Sequence, residues 1–233
     1  TKDEDVYKHM ASKIYNVSAD GVSKDQRFVG KTTILGAGYG MGAVKFQAQL
    51  ATFGFNIELE EARNIIQIYR STNGAISGLW HTAQKMLEHL TNGASTRVGR
   101  DGVLGIDVEK KAIVLPSGLL MFYHDLFAEM EDNRPQYYYK TRRGPNKIYG
   151  GKVVENVCQA IARCIIGEQM LRIAKKCKVV LTVHDSIVVC VRDEMVPETQ
   201  AYVEDCMRWI PDWADGLPIN CESGTGKSYG DCE

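Results

Sequence analysis

The chain has 233 residues, enough for one large domain or two small ones. It is 44% hydrophobic and 24% charged, an ordinary globular composition, and its net charge of −1 excludes a global positive field as a way of holding a polyanion. Any nucleic-acid contact must come from local basic patches. Seven cysteines, all from Cys158 onward and without a Cys-x-x-Cys pair, argue against a disulfide framework or a zinc site. Buried reduced thiols in a cytosolic protein fit better. No apolar run approaches transmembrane length and no signal peptide opens the chain, so no membrane partner is expected. The first residue, Thr1, reads as the mark of a fragment or a processed chain.

Residues 1–16 are polar and then amphipathic. Asp3 or Asp5 can cap a helix through Tyr7, Met10, Ala11, Ile14 and Tyr15. A polar loop leads from Asn16 to Asp25. In the next stretch, 26–42, Arg27, Lys31 and Leu35 step by four and share one helical face. Two cations one turn apart repel modestly. The face is either simply solvated or a clamp for a polyanion such as a triphosphate. Gly36, Gly38, Gly40 and Gly42 then loosen or end the helix around Tyr39. A P-loop fails here, because Gly30-Lys31-Thr32 lacks the upstream glycine.

Residues 43–92 are helical by period. Ala62, Ile65, Ile66 and Tyr69 form one apolar stripe, and Ile76, Leu79, Trp80, Ala83, Leu87 and Leu90 another. Trp80 and Met86 read as core. His81 and His89 face away from the stripe and do not read as ligands. Asn92 to Gly105 is polar and glycine-rich, and a mobile loop is expected. From Lys111 the period changes, and a hairpin turning at Pro116-Ser-Gly118 is expected. Residues 124–136 read as irregular. Tyr137 to Lys147 then interleaves aromatics with cations, either to grip a nucleic-acid backbone or as a solvated loop.

A long helix is expected from Tyr149 to about Lys175. Val154, Val157, Cys158, Ile161 and Ile165 would bury one face, with Asn156, Gln159 and Arg163 on the stripe beside it. Such polar side chains can equally make core hydrogen bonds. Lys178 to Val191 reads as two buried strands meeting at His184-Asp185-Ser186. Asp185 either closes the turn or, held there and ionised, binds a metal. An amphipathic helix over Glu198–Met207, a break at Pro211-Asp-Trp213 and a last strand over Leu217–Glu222 complete an α+β class.

Several of these stretches share one resemblance. Arg27, three residues, Lys31, seven residues, then Tyr39-Gly40 resembles motif B of family A DNA polymerases. Val183-His184-Asp185 resembles motif C of the same family. Leu115-Pro-Ser-Gly118, Tyr149-Gly-Gly-Lys152 followed by Glu155-Asn156, Gln159-Ala160 and Ala162-Arg163, and the end of the chain at Gly224–Asp231 resemble the phage members. The resemblance implies a right-hand polymerase, with mostly helical fingers over 1–110 and mainly palm over 111–233. The motif C hairpin lies near 178–191, and an irregular insertion near 119–147.

Its implied chemistry is template-directed transfer of deoxynucleotides to a primer 3′ end with two Mg²⁺, in phage-type DNA replication in the host cytoplasm. Arg27 and Lys31 would hold the triphosphate, with Lys31 as proton donor to the leaving pyrophosphate. Tyr39 would sit under the templating base pair, Gly40 beside it would help bind the nucleotide, and Leu35 would lie at a position that influences sugar selection. Asn156, Gln159, Arg163 and His184 would touch primer–template DNA, and Asp185 would hold metal. Tyr7, Leu119, Cys164 and Ser186 stand where the family usually has His, Arg, an acid and Glu. His-Asp-Ser also resembles single-subunit phage RNA polymerases, so that enzyme, or a non-catalytic DNA- or nucleotide-binding fragment, stays as an alternative. The family's motif A, Asp-Tyr-Ser-x-Ile-Glu, is not found before Arg27, and Gly105-Ile-Asp107-Val-Glu109 is not assigned in its place. The expectation is therefore an incomplete enzyme that needs an upstream polypeptide carrying motif A and the thumb. Alone it should expose apolar surface at a sheet edge.

Overall fold

The computed structural model describes residues 5–99 and 102–232. The chain divides into two compact units, Thr1–Ile113 with Phe122–Asn156, and Val114–Met121 with Val157–Glu233. The first unit opens on five helices: α1 (Val6–Tyr15), α2 (Lys24–Ala37), α3 (Ala43–Thr52), α4 (Leu59–Thr72) and α5 (Gly74–Asn92). Asp5 caps α1, accepting the Tyr7 and Lys8 backbone N–H groups; Asp3, the other cap expected, lies outside the described residues. Ser23 and Gln26 close a reciprocal capping box on α2. The helices bury Met10, Val29, Ala37, Phe46, Leu50, Ala62, Ile65, Ile66 and Tyr69 in one cluster. Phe28 stacks on Phe55 at 4.9 Å at its margin.

The first stripe, Ala62 to Tyr69, is buried as its period predicts. The second is buried only from Ala83 through Met86, Leu87 and Leu90, while Ile76 and Leu79 are exposed. Period marks a common face, but burial needs a neighbour along its whole length. The stretch expected to be a mobile loop carries β1 (Arg97–Val98), paired antiparallel with the start of β2 (Leu104–Asp107). Strands β3 (Ala112–Val114) and β4 (Leu120–Phe122) complete a sheet of order β1-β2-β3-β4. The hairpin expected at Pro116–Gly118 forms, with Gly118 at φ 80° and its N–H donating to Leu115 at 2.9 Å.

The region expected to be irregular, 119–147, is instead regular after β4. Strands β5 (Phe127–Glu131), β6 (Arg134–Thr141) and β7 (Gly144–Ile148) make a three-stranded antiparallel sheet. Asp132 and Asn133 join β5 to β6 with both φ positive, 49° and 59°. That is the conformation of the tight two-residue hairpin turn, and Asp and Asn tolerate it.

Helix α6 (Gly150–Ile173) runs nearly as long as its pattern predicts. Val153, Val154, Val157, Ile165, Gln169 and Ile173 are buried along it, whereas Cys158 is exposed. Of the seven thiols expected to be buried only Cys206 is, and Cys190 is exposed with Cys158. Strands β8 (Val179–Val183) and β9 (Ser186–Val189) pair antiparallel with a bulge between Val179 and Leu181. They are not the buried strands that their composition predicts. Val180 is 49% and Leu181 44% exposed in a sheet of only two strands among the described residues. Helix α7 (Val196–Arg208) follows. No strand forms over 217–222. That segment is tied to α7 through side chains instead, Arg208 Nε donating to Asn220 Oδ1 at 3.2 Å and Cys221 Sγ to the Glu204 carbonyl at 3.7 Å. Among the described residues no helix is long and apolar enough to cross a membrane.

Within the second unit, α6 holds α7 through polar and cation–π contacts. Gln169 is buried, and its Nε2 donates to the Met207 and Trp209 carbonyls at 2.6 and 3.0 Å. These carbonyls lie at the C-terminal end of α7, where a helix leaves acceptors unpaired. The Tyr202 hydroxyl donates to the Arg172 carbonyl at 2.6 Å, and the Arg172 guanidinium lies 4.4 Å over the Trp209 ring. Gln169→Leu keeps the volume and removes both donors. It should destabilise the protein by about 1–3 kcal/mol, read as a lower urea midpoint at unchanged slope. An unchanged midpoint would mean water replaces the amide without cost.

Candidate nucleotide and metal site

The residues singled out by sequence fall in both units, and each unit holds its own part. In the first, Arg27, Lys31 and Leu35 do share one face of α2, and Lys31 and Leu35 are exposed. The face is not bare. The Tyr7 ring of α1 lies 5.3 Å from the Arg27 guanidinium carbon and 5.9 Å from the Lys31 ammonium. Arg27 Nε also donates to Asp5 Oδ2 at 2.6 Å. This bond holds the Asp5 carboxyl below the usual carboxylate range. Its contribution to stability is therefore complete above the ordinary carboxylate pKa and is lost as pH falls through the lowered one. A local concentration of two cations, one fixed by a carboxylate and both seated on an aromatic ring, is suited to a polyanion.

Tyr39 and Gly40 follow the end of α2, and Gly40 turns the chain at φ 84°. The start of α6 presses on this turn. A Cβ on Gly151 would lie 2.4 Å from the Tyr39 carbonyl oxygen, and one on Gly150 would lie 1.9 Å from the Trp80 carbonyl oxygen. Trp80 Nε1 donates to the Gly38 carbonyl at 3.0 Å, and the Gly150 N–H donates to Gln84 Oε1 at 2.7 Å. The glycine pair thus lets three segments meet around Tyr39. Asn156, placed by its pattern among the DNA contacts, donates to the Tyr123 hydroxyl at 3.0 Å. Tyr123 is buried, which pushes its pKa up to about 12, and it packs edge-on to Tyr139 at 5.3 Å. This is the core hydrogen bond that the sequence left open as the other reading of Asn156.

In the second unit Gln159 and Arg163 lie on the exposed side of α6. Cys164, standing where an acid is usual, accepts from Ser117 Oγ at 3.2 Å. His184 and Asp185 form a two-residue loop, since Val183 pairs with Ser186. His184 has φ 53°, a conformation costly for a side chain with a Cβ and concentrated at functional turns. The loop presents the exposed Asp185 carboxylate at the tip of the β8–β9 hairpin. Among the described residues no three His, Cys, Asp or Glu side chains are grouped to share a metal ion. Asp107 is engaged locally, accepting the Lys110 N–H at 3.0 Å. By themselves the described residues do not make a divalent-metal centre; Asp185 is suited to be one ligand of it.

Comparison with known proteins decides the family. The family model for DNA polymerase family A matches residues 1–231. The chain belongs to this family. It is 24% identical over 256 residues to the DNA polymerase of Bacillus phage SP02, covering 96% of this chain and 36% of that protein. Its fold is similar to the POL domain of Pol1 from M. smegmatis, solved in complex with DNA primer-template and dNTP. The TM-score is 0.60 and the identity 18%, covering 98% of this chain and 35% of that one. The chain thus spans about a third of the length of each of these two proteins. The α+β class read from the sequence is the one observed.

Asp5, Trp80 and Gln84 carry no site signal of their own in the sequence, whereas Tyr7 stands where the family usually has His. Only the doubled glycine at the start of α6 signalled a close approach. Gly150→Ala and Gly151→Ala should each cost about 1–3 kcal/mol, by pushing backbone against backbone. Gly167→Ala, in the same helix with nothing within 4 Å, should be neutral or stabilising by up to about 1 kcal/mol. Thermal melts of the three variants give the comparison. Equal melting of all three would show that the α6 start yields freely.

Proposed function

We propose that this chain is the fingers and part of the palm of a template-directed DNA polymerase, with fingers over 1–110 and mainly palm over 111–233. The observation that carries the reading is the Arg27–Lys31 pair, seated side by side on Tyr7 in a chain matched to family A over residues 1–231. Its substrates are then deoxynucleoside triphosphates and primer–template DNA. The phage relative supports a role in phage DNA replication, which would take place in the host cytoplasm. Arg27 binds and orients the triphosphate through a planar fork of donors. Lys31 neutralises charge as it develops on the leaving pyrophosphate and delivers a proton to it. Tyr39 stacks beneath the templating pair, with its backbone fixed by Gly151 and its neighbours. Asn156, Gln159, Arg163 and His184 are proposed to contact the duplex.

When bound, two Mg²⁺ would neutralise charge on the reacting phosphates. Asp185 is proposed as a ligand. The other carboxylates are proposed to come from a polypeptide outside these residues, which also carries the thumb. The exposed Val180 and Leu181 support this, because a half-covered two-stranded sheet presents an edge and an apolar face for another strand.

Primer extension tests the reading, first with residues 1–233 and Mg²⁺, then with an upstream segment carrying motif A added in trans or fused. The expected result is no extension by the chain alone and extension after addition. Robust extension by 1–233 alone, abolished by Asp185→Ala, would sink the incomplete-site reading. In the completed enzyme, Lys31→Ala should slow incorporation by roughly a hundredfold or more, with little change in duplex affinity. Equal losses in both would make Lys31 a backbone contact. Asp185→Ala should lose nearly all activity and Ser186→Ala retain most of it, since a neutral hydroxyl is a weak Mg²⁺ ligand. A matching collapse of Ser186→Ala, with folding intact, would refute that division.

A further inference from the structure

Asp5 and Tyr7 lie twenty or more residues before Lys31, outside the spacing that marks its face, yet both touch the cations. The Asp5 carboxylate is fixed at both oxygens. Oδ1 accepts the Tyr7 and Lys8 N–H groups at 3.0 and 3.1 Å, and Oδ2 accepts Arg27 Nε at 2.6 Å. The bond takes one of the five guanidinium N–H groups. Those on the two terminal nitrogens remain to fork onto a phosphate. Arg27 and Lys31 are like charges one helical turn apart, and the negative face of the Tyr7 ring attracts both. The helix that carries the two residues is docked firmly. A Cβ on Gly30 of α2 would lie 2.3 Å from the Tyr7 carbonyl oxygen, so α1 and α2 meet backbone to backbone at that point.

We propose that Asp5 and Tyr7 are positioning residues of a polyphosphate subsite, Asp5 aiming the Arg27 fork and Tyr7 seating Arg27 and Lys31 together. The proposal rests on the reading of Arg27 and Lys31 as the triphosphate face. It adds two residues that touch no phosphate themselves and act through those that do.

The probe is inorganic tripolyphosphate, titrated calorimetrically into the 233-residue chain at fixed ionic strength. Asn caps a helix about as well as Asp, so Asp5→Asn keeps the cap while removing the charged partner of Arg27. Far-UV circular dichroism checks that α1 stays folded. Positioning predicts weaker binding, by roughly three- to tenfold. Charge alone predicts the reverse, because deleting an anion beside an anion site favours the ligand. Tighter binding would therefore overturn the proposal in favour of simple screening, and unchanged binding would reduce Asp5 to a helix cap. In an Arg27→Ala background Asp5→Asn should have no further effect, and an additive loss would overturn the proposed route through Arg27. Tyr7→Phe should retain binding and Tyr7→Leu weaken it; equal behaviour would overturn the role of the ring. If Arg27→Ala itself leaves binding intact, the triphosphate reading fails along with the inference. If Arg27→Ala weakens binding but Asp5→Asn does not, the inference alone fails.

Discussion

The backbone contact between α1 and α2 at Gly30 governs the cationic face. With no Cβ at that position, the Tyr7 carbonyl enters the space a side chain would fill. Met10 and Ala11 are then buried on α1, and Val29 and Thr33 on α2. Because α1 is set down so close, its first turn reaches Arg27 and Lys31. An α1 held farther away by a larger residue would leave two like charges with neither a carboxylate nor a ring to hold them. The α2 face is organised by residues whose primary duties are capping a helix and filling a gap between helices.

The same device recurs at the other end of α2. Gly150 and Gly151 let the start of α6 lie directly against the carbonyls of Trp80 and Tyr39. Trp80 and Gln84 complete the junction by bonding Gly38 and Gly150. Three segments converge on the backbone around Tyr39 and hold it in place. The hairpin in the second unit follows a different logic. Its strands are short, and its turn places His184 in a costly conformation with a carboxylate beside it. Val180 and Leu181 on its first strand are exposed.

Local chemistry and periodicity determined much of this protein from the sequence alone. Asp5 as a cap, the α4 stripe, the length of α6 and the hairpins at Gly118 and His184-Asp185 all depend on residues close in the chain. So does the register of Arg27, Lys31, Tyr39 and Gly40, which is a matter of counting along one helix and its exit. The turn that opens β6 was legible as well, because Asp132-Asn133 between short strands is the tight hairpin signal; the region was instead read as irregular.

What only the tertiary structure decided is which partner each face meets. Periodicity could place Asn156 on a stripe but not show that its amide donates to the Tyr123 hydroxyl. It could gather Ile76 and Leu79 with Leu87, but only Leu87 of the three is buried. Two buried strands were expected over 178–191 because β-branched runs usually pack on both sides, yet Val180 and Leu181 are exposed in a sheet of two strands. The Asp5–Arg27 bond joins residues twenty-two positions apart through a helix crossing. A sequence specifies which side chains share a face through bonds a few residues apart, while contact across elements depends on how closely backbones can approach, and at Gly30, Gly150 and Gly151 that distance was set by the absence of a single carbon.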